Sequence, residues 1–191
     1  MQLTEDKKEL RRRVKQSYKS LTQEERRGLS ELAASKMLLR LSEVPSGTKI
    51  GVFLSMWDEL DTSFIISSLM AEGHLKVLIP RVEGEEMQFY PYDPVRIDII
   101  SEYGIMEPNN PEADADVPEV MVVPGIAFDT DGGRVGRGKG FYDKYFSRYS
   151  RYIKAKIAFV ASFQIFPHVP MDSHDIRMDE IITDKEHFMV E

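Results

Sequence analysis

The chain has 191 residues, 42% of them apolar and 30% charged, with a formal net charge of −7 and no cysteine. That length suits one domain, residues 1–191, with a sizeable core. The missing cysteine removes disulfides, thiolate metal sites and cysteine nucleophiles together, and fits a reducing cytosol. The acidity argues against a general nucleic-acid binder, no apolar run reaches membrane-spanning length, and the charged opening MQLTEDKKELRRR lacks the apolar stretch of a secretory signal.

Residues 4–20 and 22–41 read as two helices, since apolar residues recur at helical spacing. LTQEE reads as a capping box, with Thr22 as cap and Glu25 three residues on. VPSG at 44–47 stops the second helix. A strand is predicted over 48–55, a helix from Thr62 closed by Gly73, and a strand over 75–80 ended by Pro80. MQFYPY, 87–92, reads as an edge strand because Pro91 cannot donate to a ladder. Residues 93–118, with four prolines and many acids, are expected to be mostly loop. EVMVVPG, 119–125, is a buried strand, a helix is predicted from the GFYDKYFSRYS stretch, and strands follow over 155–160 and 179–184.

Dense apolar strands alternating with helices predict an α/β fold. It is a three-layer sandwich with a largely parallel central sheet, helices on both faces and an N-terminal helical pair. In such sheets ligands sit beyond the carboxyl ends of strands. Three polar clusters follow strands here: SMWDELD, PGIAFDTDGGRVGRGKG and FQIFPHVPMDSHD. They are expected to share one cleft.

The stretch Gly132 to Phe146, GGRVGRGKGFYDKYF, concentrates five of the twelve glycines, with Arg134, Arg137 and Lys139 interleaved. Glycine lets backbone N–H groups approach an anion, and the following helix adds its dipole. Gly133 to Lys139 imitates the G-x-x-x-x-G-K of a P-loop, but Gly140 stands where Ser or Thr would hold magnesium. Asp143, three residues on, can supply an oxygen ligand instead. The bland alternative is a flexible turn with solvated cations.

Wound at about 100° per residue, residues 3–21 place Leu3, Leu10, Val14, Tyr18 and Leu21 on one face. Lys7 falls within that stripe and Arg11 at its border. Such a lysine either meets an anion or snorkels its aliphatic stem to water. Met56 and Trp57 are able to stack on a flat heterocycle or to pack in the core. Asp58, Glu59 and Asp61 either hold N–H groups or cap the next helix. Asp175 and Asp179 are candidates to join Asp143 at a metal. His168 and His174 lack a metal-binding pattern and read as structural, while His74 and His187 read as surface positions. No Ser-His-Asp arrangement stands out.

PGIAFDTDGGRVGRGKGFYDKYF, 124–146, resembles the signature of the 5-formyltetrahydrofolate cyclo-ligases. That signature is P-G-[LIV]-[AG]-F-D followed by G-x-R-[LV]-G-x-G-x-G-[YF]-Y-D. KKELRRR resembles the family's K-x-x-L-R helix, FLSMWDELDT its F-x-S-x-x-x-E-[IVL]-[DE]-T segment, and IPRV and HDIRMDEIIT also fit. The resemblance implies an ATP- and magnesium-dependent conversion of 5-formyltetrahydrofolate to 5,10-methenyltetrahydrofolate in the cytoplasm. It implies a small-molecule substrate and no nucleic-acid or membrane partner; a monomer is the favoured state. It maps Lys7, Arg11, Arg134, Gly136, Arg137, Gly138, Lys139, Gly140, Phe141 and Tyr142 onto the ATP site. Met56 and Asp61, with Arg137, Gly138, Lys139, Gly140 and Phe141, map onto the folate site, and Asp143 and Asp175 onto magnesium. Arg137 and Lys139 are expected to stabilise the transferring phosphoryl group. Both sit in a loop, so their loss is expected to lower turnover more than stability.

Two departures stand out. Asp61 replaces a longer glutamate common in the family, and Phe141 replaces a frequent tyrosine. The readings weighed against this one are a sugar-phosphate isomerase or deaminase, a sensor of a phosphorylated ligand, and a single-stranded nucleic-acid binder using Phe141, Tyr142, Tyr145 and Phe146.

Overall fold

Two helices open the chain, α1 (Gln2–Ser20) and α2 (Gln23–Leu41). The predicted capping box separates them: Glu25 N–H donates to Thr22 Oγ1 at 3.2 Å, and Thr22 N–H donates to the Glu25 carboxylate at 2.7 Å. The computed structural model describes residues 2–100, 106–108 and 114–191, with the backbone alone at 2–6 and 98–100. Next come β1 (Lys49–Val52), α3 (Ser63–Glu72), β2 (Lys76–Glu83) and β3 (Glu86–Pro91). They are followed by β4 (Ile97–Ile100), β5 (Met106–Pro108), β6 (Val120–Val123), β7 (Ala127–Phe128) and β8 (Arg134–Val135). The chain ends with α4 (Phe141–Tyr149), β9 (Ala155–Phe159), β10 (Glu180–Ile182) and β11 (His187–Met189).

The main sheet has the order β11-β10-β9-β6-β1-β2-β3. Strands β10, β9, β6, β1 and β2 run parallel, and β11 and β3 close the edges antiparallel. The two-residue period of the strands divides their side chains between two cores. Ile50, Val52, Val77, Val122, Ile157 and Phe159 pack with Val14, Tyr18, Ala34, Met37, Ile65 and Leu69 of α1, α2 and α3. Leu78, Met121, Val123, Ala158 and Ile181 pack with Tyr145 and Phe146 of α4. The expected layered α/β architecture is therefore present. Among the described residues no helix is long and apolar enough to cross a membrane.

Three differences from the sequence expectation have simple causes. Strand β2 runs through Pro80, because Pro80 lies beyond the last pairing with β1 (Gly51 with Leu78), so no donor is needed there, while β3 still pairs alongside. The predicted 93–118 loop contains a short antiparallel pair, β4 with β5, whose buried Glu107 accepts the Val82 N–H at 3.3 Å; residues 101–105 and 109–113 of that prediction lie outside the described residues. The glycine stretch forms a hairpin, β7 with β8, and β11 adds an edge strand too short to show periodicity.

The three polar clusters gather at the carboxyl ends of β1, β6 and β9. Buried Gln164, itself in the third cluster, ties the second to α1. Its Nε2 donates to Gly125 O and Ile126 O at 2.9 and 3.0 Å, and its Oε1 accepts Tyr18 Oη and Ala161 N–H, each at 2.9 Å.

Gly51 faces Pro118 and Phe89, which a Cβ would meet at 2.9 and 3.0 Å. Gly51→Ala is expected to cost about 1–3 kcal/mol through overpacking, read as a lower urea midpoint with an unchanged slope.

Candidate active site

The glycine stretch supplies the turn and second strand of the β7–β8 hairpin and then a loop that leads into α4. Gly132 turns the hairpin with φ 80°, and a Cβ there would strike the Met178 carbonyl oxygen at 2.6 Å. The strands place Arg134 and Val135 inward; Val135 packs with Leu10, Ala127 and Val169. Gly140, at φ 70°, is the N-cap of α4 and lets the chain enter the helix in a left-handed conformation. Lys139 and Gly138 are exposed on this loop, with Phe141 and Tyr142 starting the helix behind them.

The cations are paired across the molecule. Buried Lys7 donates to Asp172 Oδ2 at 2.7 Å and to Asp175 Oδ2 at 2.5 Å, so its ammonium meets carboxylates of the chain itself. Burial pulls the Lys7 ammonium toward deprotonation, but the two carboxylates outweigh it and hold it above its usual range. Burial likewise favours the neutral form of Asp175, but the Asp172 N–H and Lys7 hold its carboxyl below the ordinary range. Arg11 Nε donates to Gly136 O at 2.9 Å, fastening α1 to the loop. Buried Arg134 reaches Asp143 Oδ2 at 2.7 Å, and its guanidinium lies 5.7 Å from the Tyr142 ring centroid. The second Asp143 oxygen accepts the Ile176 N–H at 3.1 Å.

Arg137 forks onto the strand-end cluster, meeting Asp58 at 2.6 and 3.2 Å and Glu59 at 3.0 and 3.2 Å. Glu59 also accepts the Met56 N–H at 2.8 Å, so Met56, Glu59 and Arg137 share one wall. Burial pushes the Glu59 carboxyl up, against the pull of Arg137. Asp61 is exposed, and its carboxylate accepts the Ser63 N–H at 2.9 Å at the start of α3. The shorter side chain is thus used on the first N–H of α3, and the carboxylates beside Arg137 belong to Asp58 and Glu59.

Asp143 and Asp175 line one cleft of about 920 Å³ together with Gly140, Phe141, Lys144 and His174. Asp179 is engaged elsewhere, at 2.7 Å from both Lys156 N and Nζ. His187, expected at the surface, is exposed there, with its Nε2 2.9 Å from Glu180. Sequence reasoning missed Asp172, Asp129 and Gln164. Asp172 carried a signal in its i, i+3 spacing from Asp175; Gln164 carried none.

The 5-formyltetrahydrofolate cyclo-ligase family model matches residues 3–184. The chain is 32% identical to the 5-formyltetrahydrofolate cyclo-ligase of Mus musculus, with 92% of each chain covered. It is 29% identical to that of Escherichia coli K12, over 89% of this chain and 96% of the relative. Among solved structures it is similar to the 5,10-methenyltetrahydrofolate synthetase of Aquifex aeolicus, with a TM-score of 0.77 and 32% identity over 96% of this chain and 92% of that one.

Because Arg137 is the counterion of two nearly buried carboxylates, its removal is expected to cost stability as well as turnover. The side chains of Asp58 and Glu59 are 6% and 7% exposed and that of Arg137 35%. Arg137→Ala is expected to lose about 2–3 kcal/mol at pH 7.5, less than a fully buried pair because Arg137 is partly solvated. Without Arg137 the folded-state pKa of Glu59 rises further above its unfolded value, so the deficit is full above that pKa and shrinks as pH falls through it. Urea titrations at pH 7.5 and 5.5 check this: a deficit that grows at the lower pH refutes the assignment.

Proposed function

The chain belongs to the 5-formyltetrahydrofolate cyclo-ligase family, and from that premise we propose that the loop Arg134–Tyr142 divides a nucleotide side from a folate side of one active site. The reaction is the ATP-dependent conversion of 5-formyltetrahydrofolate to 5,10-methenyltetrahydrofolate, with release of ADP and phosphate. The observation that carries the arrangement is the two-sided pairing of the loop. On one side Arg134 pairs with Asp143, Lys7 with Asp172 and Asp175, and Arg11 with Gly136 O, while on the other Arg137 pairs with Asp58 and Glu59, the latter bonded to the Met56 N–H.

The formyl oxygen of an N-formyl group is a poor leaving group. Transfer of the γ-phosphoryl group to it gives an imino-phosphate, and N10 of the same folate then attacks the carbon as phosphate departs. Both nucleophiles belong to the substrate, so the protein's tasks are positioning and charge stabilisation. In our reading Lys7, Arg11, Arg134 and the glycine amides hold the triphosphate. Arg137 and Lys139 meet the charge that develops on the transferring group, and Met56, Glu59 and Asp61 border the folate.

Among the described residues no group of three acids or histidines is arranged to hold a metal ion. Magnesium carried by a nucleotide needs only one or two carboxylates, with phosphate oxygens and water completing its shell, and Asp143 and Asp175 on one cleft fit that requirement. Bound there, the ion would neutralise phosphate charge. We further read residues 1–191 as one catalytic unit, monomeric and cytoplasmic, without nucleic-acid or membrane partners. The isomerase and sensor readings are not favoured by the family relationship.

Incubation with 5-formyltetrahydrofolate, ATP and magnesium is expected to generate methenyl absorbance; its absence at saturating substrates overturns the reading. Lys139→Ala is expected to lower kcat by about 10²–10³, the scale of one lost oxyanion donor, with little change in melting temperature. A variant that melts early yet keeps full specific activity would make Lys139 structural.

A further inference from the structure

Asp129 is 1% exposed, yet it stands outside every role given above. Its Oδ1 accepts the Gly133 N–H at 2.8 Å and its Oδ2 accepts the Val169 N–H at 2.8 Å. The exposed His168 lies 3.6 Å from the same Oδ2. Its backbone closes the turn as well: Asp129 N–H donates to Gly133 O at 3.2 Å and Gly132 N–H to Asp129 O at 3.0 Å. No side chain fits opposite, since a Cβ on Gly133 would sit 2.7 Å from both carboxylate oxygens.

The two amides belong to different parts of the site. Gly133 immediately precedes Arg134 and the loop that leads into α4. Val169 opens the segment that carries Asp172 and Asp175. Further bonds run along the same seam. Arg134 N–H points at Met171 Sδ at 3.3 Å, Arg177 Nη1 donates to Asp131 O at 2.6 Å, and Met178 N–H donates to Gly132 O at 2.9 Å. Asp143 bridges the outer end of the seam, from Arg134 to Ile176, and Asp129 bridges its buried end, each of its oxygens serving one side.

We propose that Asp129 is a positioning residue for phosphoryl transfer: one buried carboxylate fixes the cation loop at Gly133 against the acidic segment at Val169. The inference rests on the functional reading above. A carboxylate offers acceptors on both oxygens, whereas a carboxamide offers one acceptor and turns an N–H toward the other amide. Asp129→Asn therefore keeps the side-chain shape and breaks the clamp on one side only. Charge-assisted bonds to backbone N–H groups in a water-excluded place are the strong kind, so the seam loosens rather than relaxes into an equivalent bond.

The test titrates the full chain with a non-hydrolysable ATP analogue plus magnesium, and separately with 5-formyltetrahydrofolate, at 25 °C. Asp129→Asn and Asp129→Glu are compared with wild type and with the core control Ile181→Val. Expected is an analogue Kd raised at least tenfold in both Asp129 variants. Folate Kd should stay within threefold, and the control should keep both affinities while also melting lower. Analogue affinity within twofold of wild type in a folded Asp129 variant overturns the proposal, and so does failure of both variants to fold, which makes the residue purely structural. Wild-type protein that binds no analogue overturns the functional reading itself, and this inference with it.

Discussion

The site depends on pairing fixed cations with carboxylates brought from elsewhere in the chain. Lys7 leans on Asp172 and Asp175, Arg134 on Asp143, and Arg137 on Asp58 and Glu59. A buried cation without such a partner deprotonates or drags water inward. With partners it stays charged and aimed, ready for a more highly charged ligand. The pairs also show how an acidic protein with a formal charge of −7 keeps a cluster of cations in place: some of its acids stand beside the cations of the site.

A second constraint is the supply of backbone partners. A loop rich in glycine has little side-chain packing to hold it, so its shape must come from hydrogen bonds. Asp129 provides one from behind at Gly133, and Gln164 holds Gly125 and Ile126 at the root of the hairpin that leads into the loop; each is wholly buried and satisfied by groups from two or more segments. Arg11 provides another from α1 through Gly136 O. The loop is thus defined by its surroundings, which lets its outer surface stay open to a ligand. This is the arrangement that preorganised charge stabilisation demands.

Much of this was legible in the sequence, and the legible parts share a cause. Local patterns are written in short stretches: the 3.6-residue stripe of α1, the Thr22–Glu25 box, the edge position announced by Pro91, and the glycine-cation alternation of 132–146. What stayed hidden depends on contacts between distant segments. Pro80 looks like a terminator until the end of β1 is seen to lie before it. Asp61 and Glu59 look equivalent until the path of the chain gives one to the first N–H of α3 and the other to Arg137. Hairpin strands of two residues, and the three-residue β11, are too brief for any period to register. Gln164 is one glutamine among ordinary neighbours, and only its four bonds reveal its importance.

The ion pairs of Lys7 span 165 and 168 positions of sequence. Helix α1 is made long before the carboxylates that Lys7 meets. A nascent chain that has emerged only as far as α4 carries the glycine loop and its arginines but has neither the Asp172–Asp175 pair nor Gln164 to seat Tyr18. Loop-closure entropy makes such distant contacts late events, so these pairs wait on the segment that carries Asp172 and Asp175. Until it arrives α1 has its apolar neighbours but no partner for Lys7, a delay imposed by topology alone.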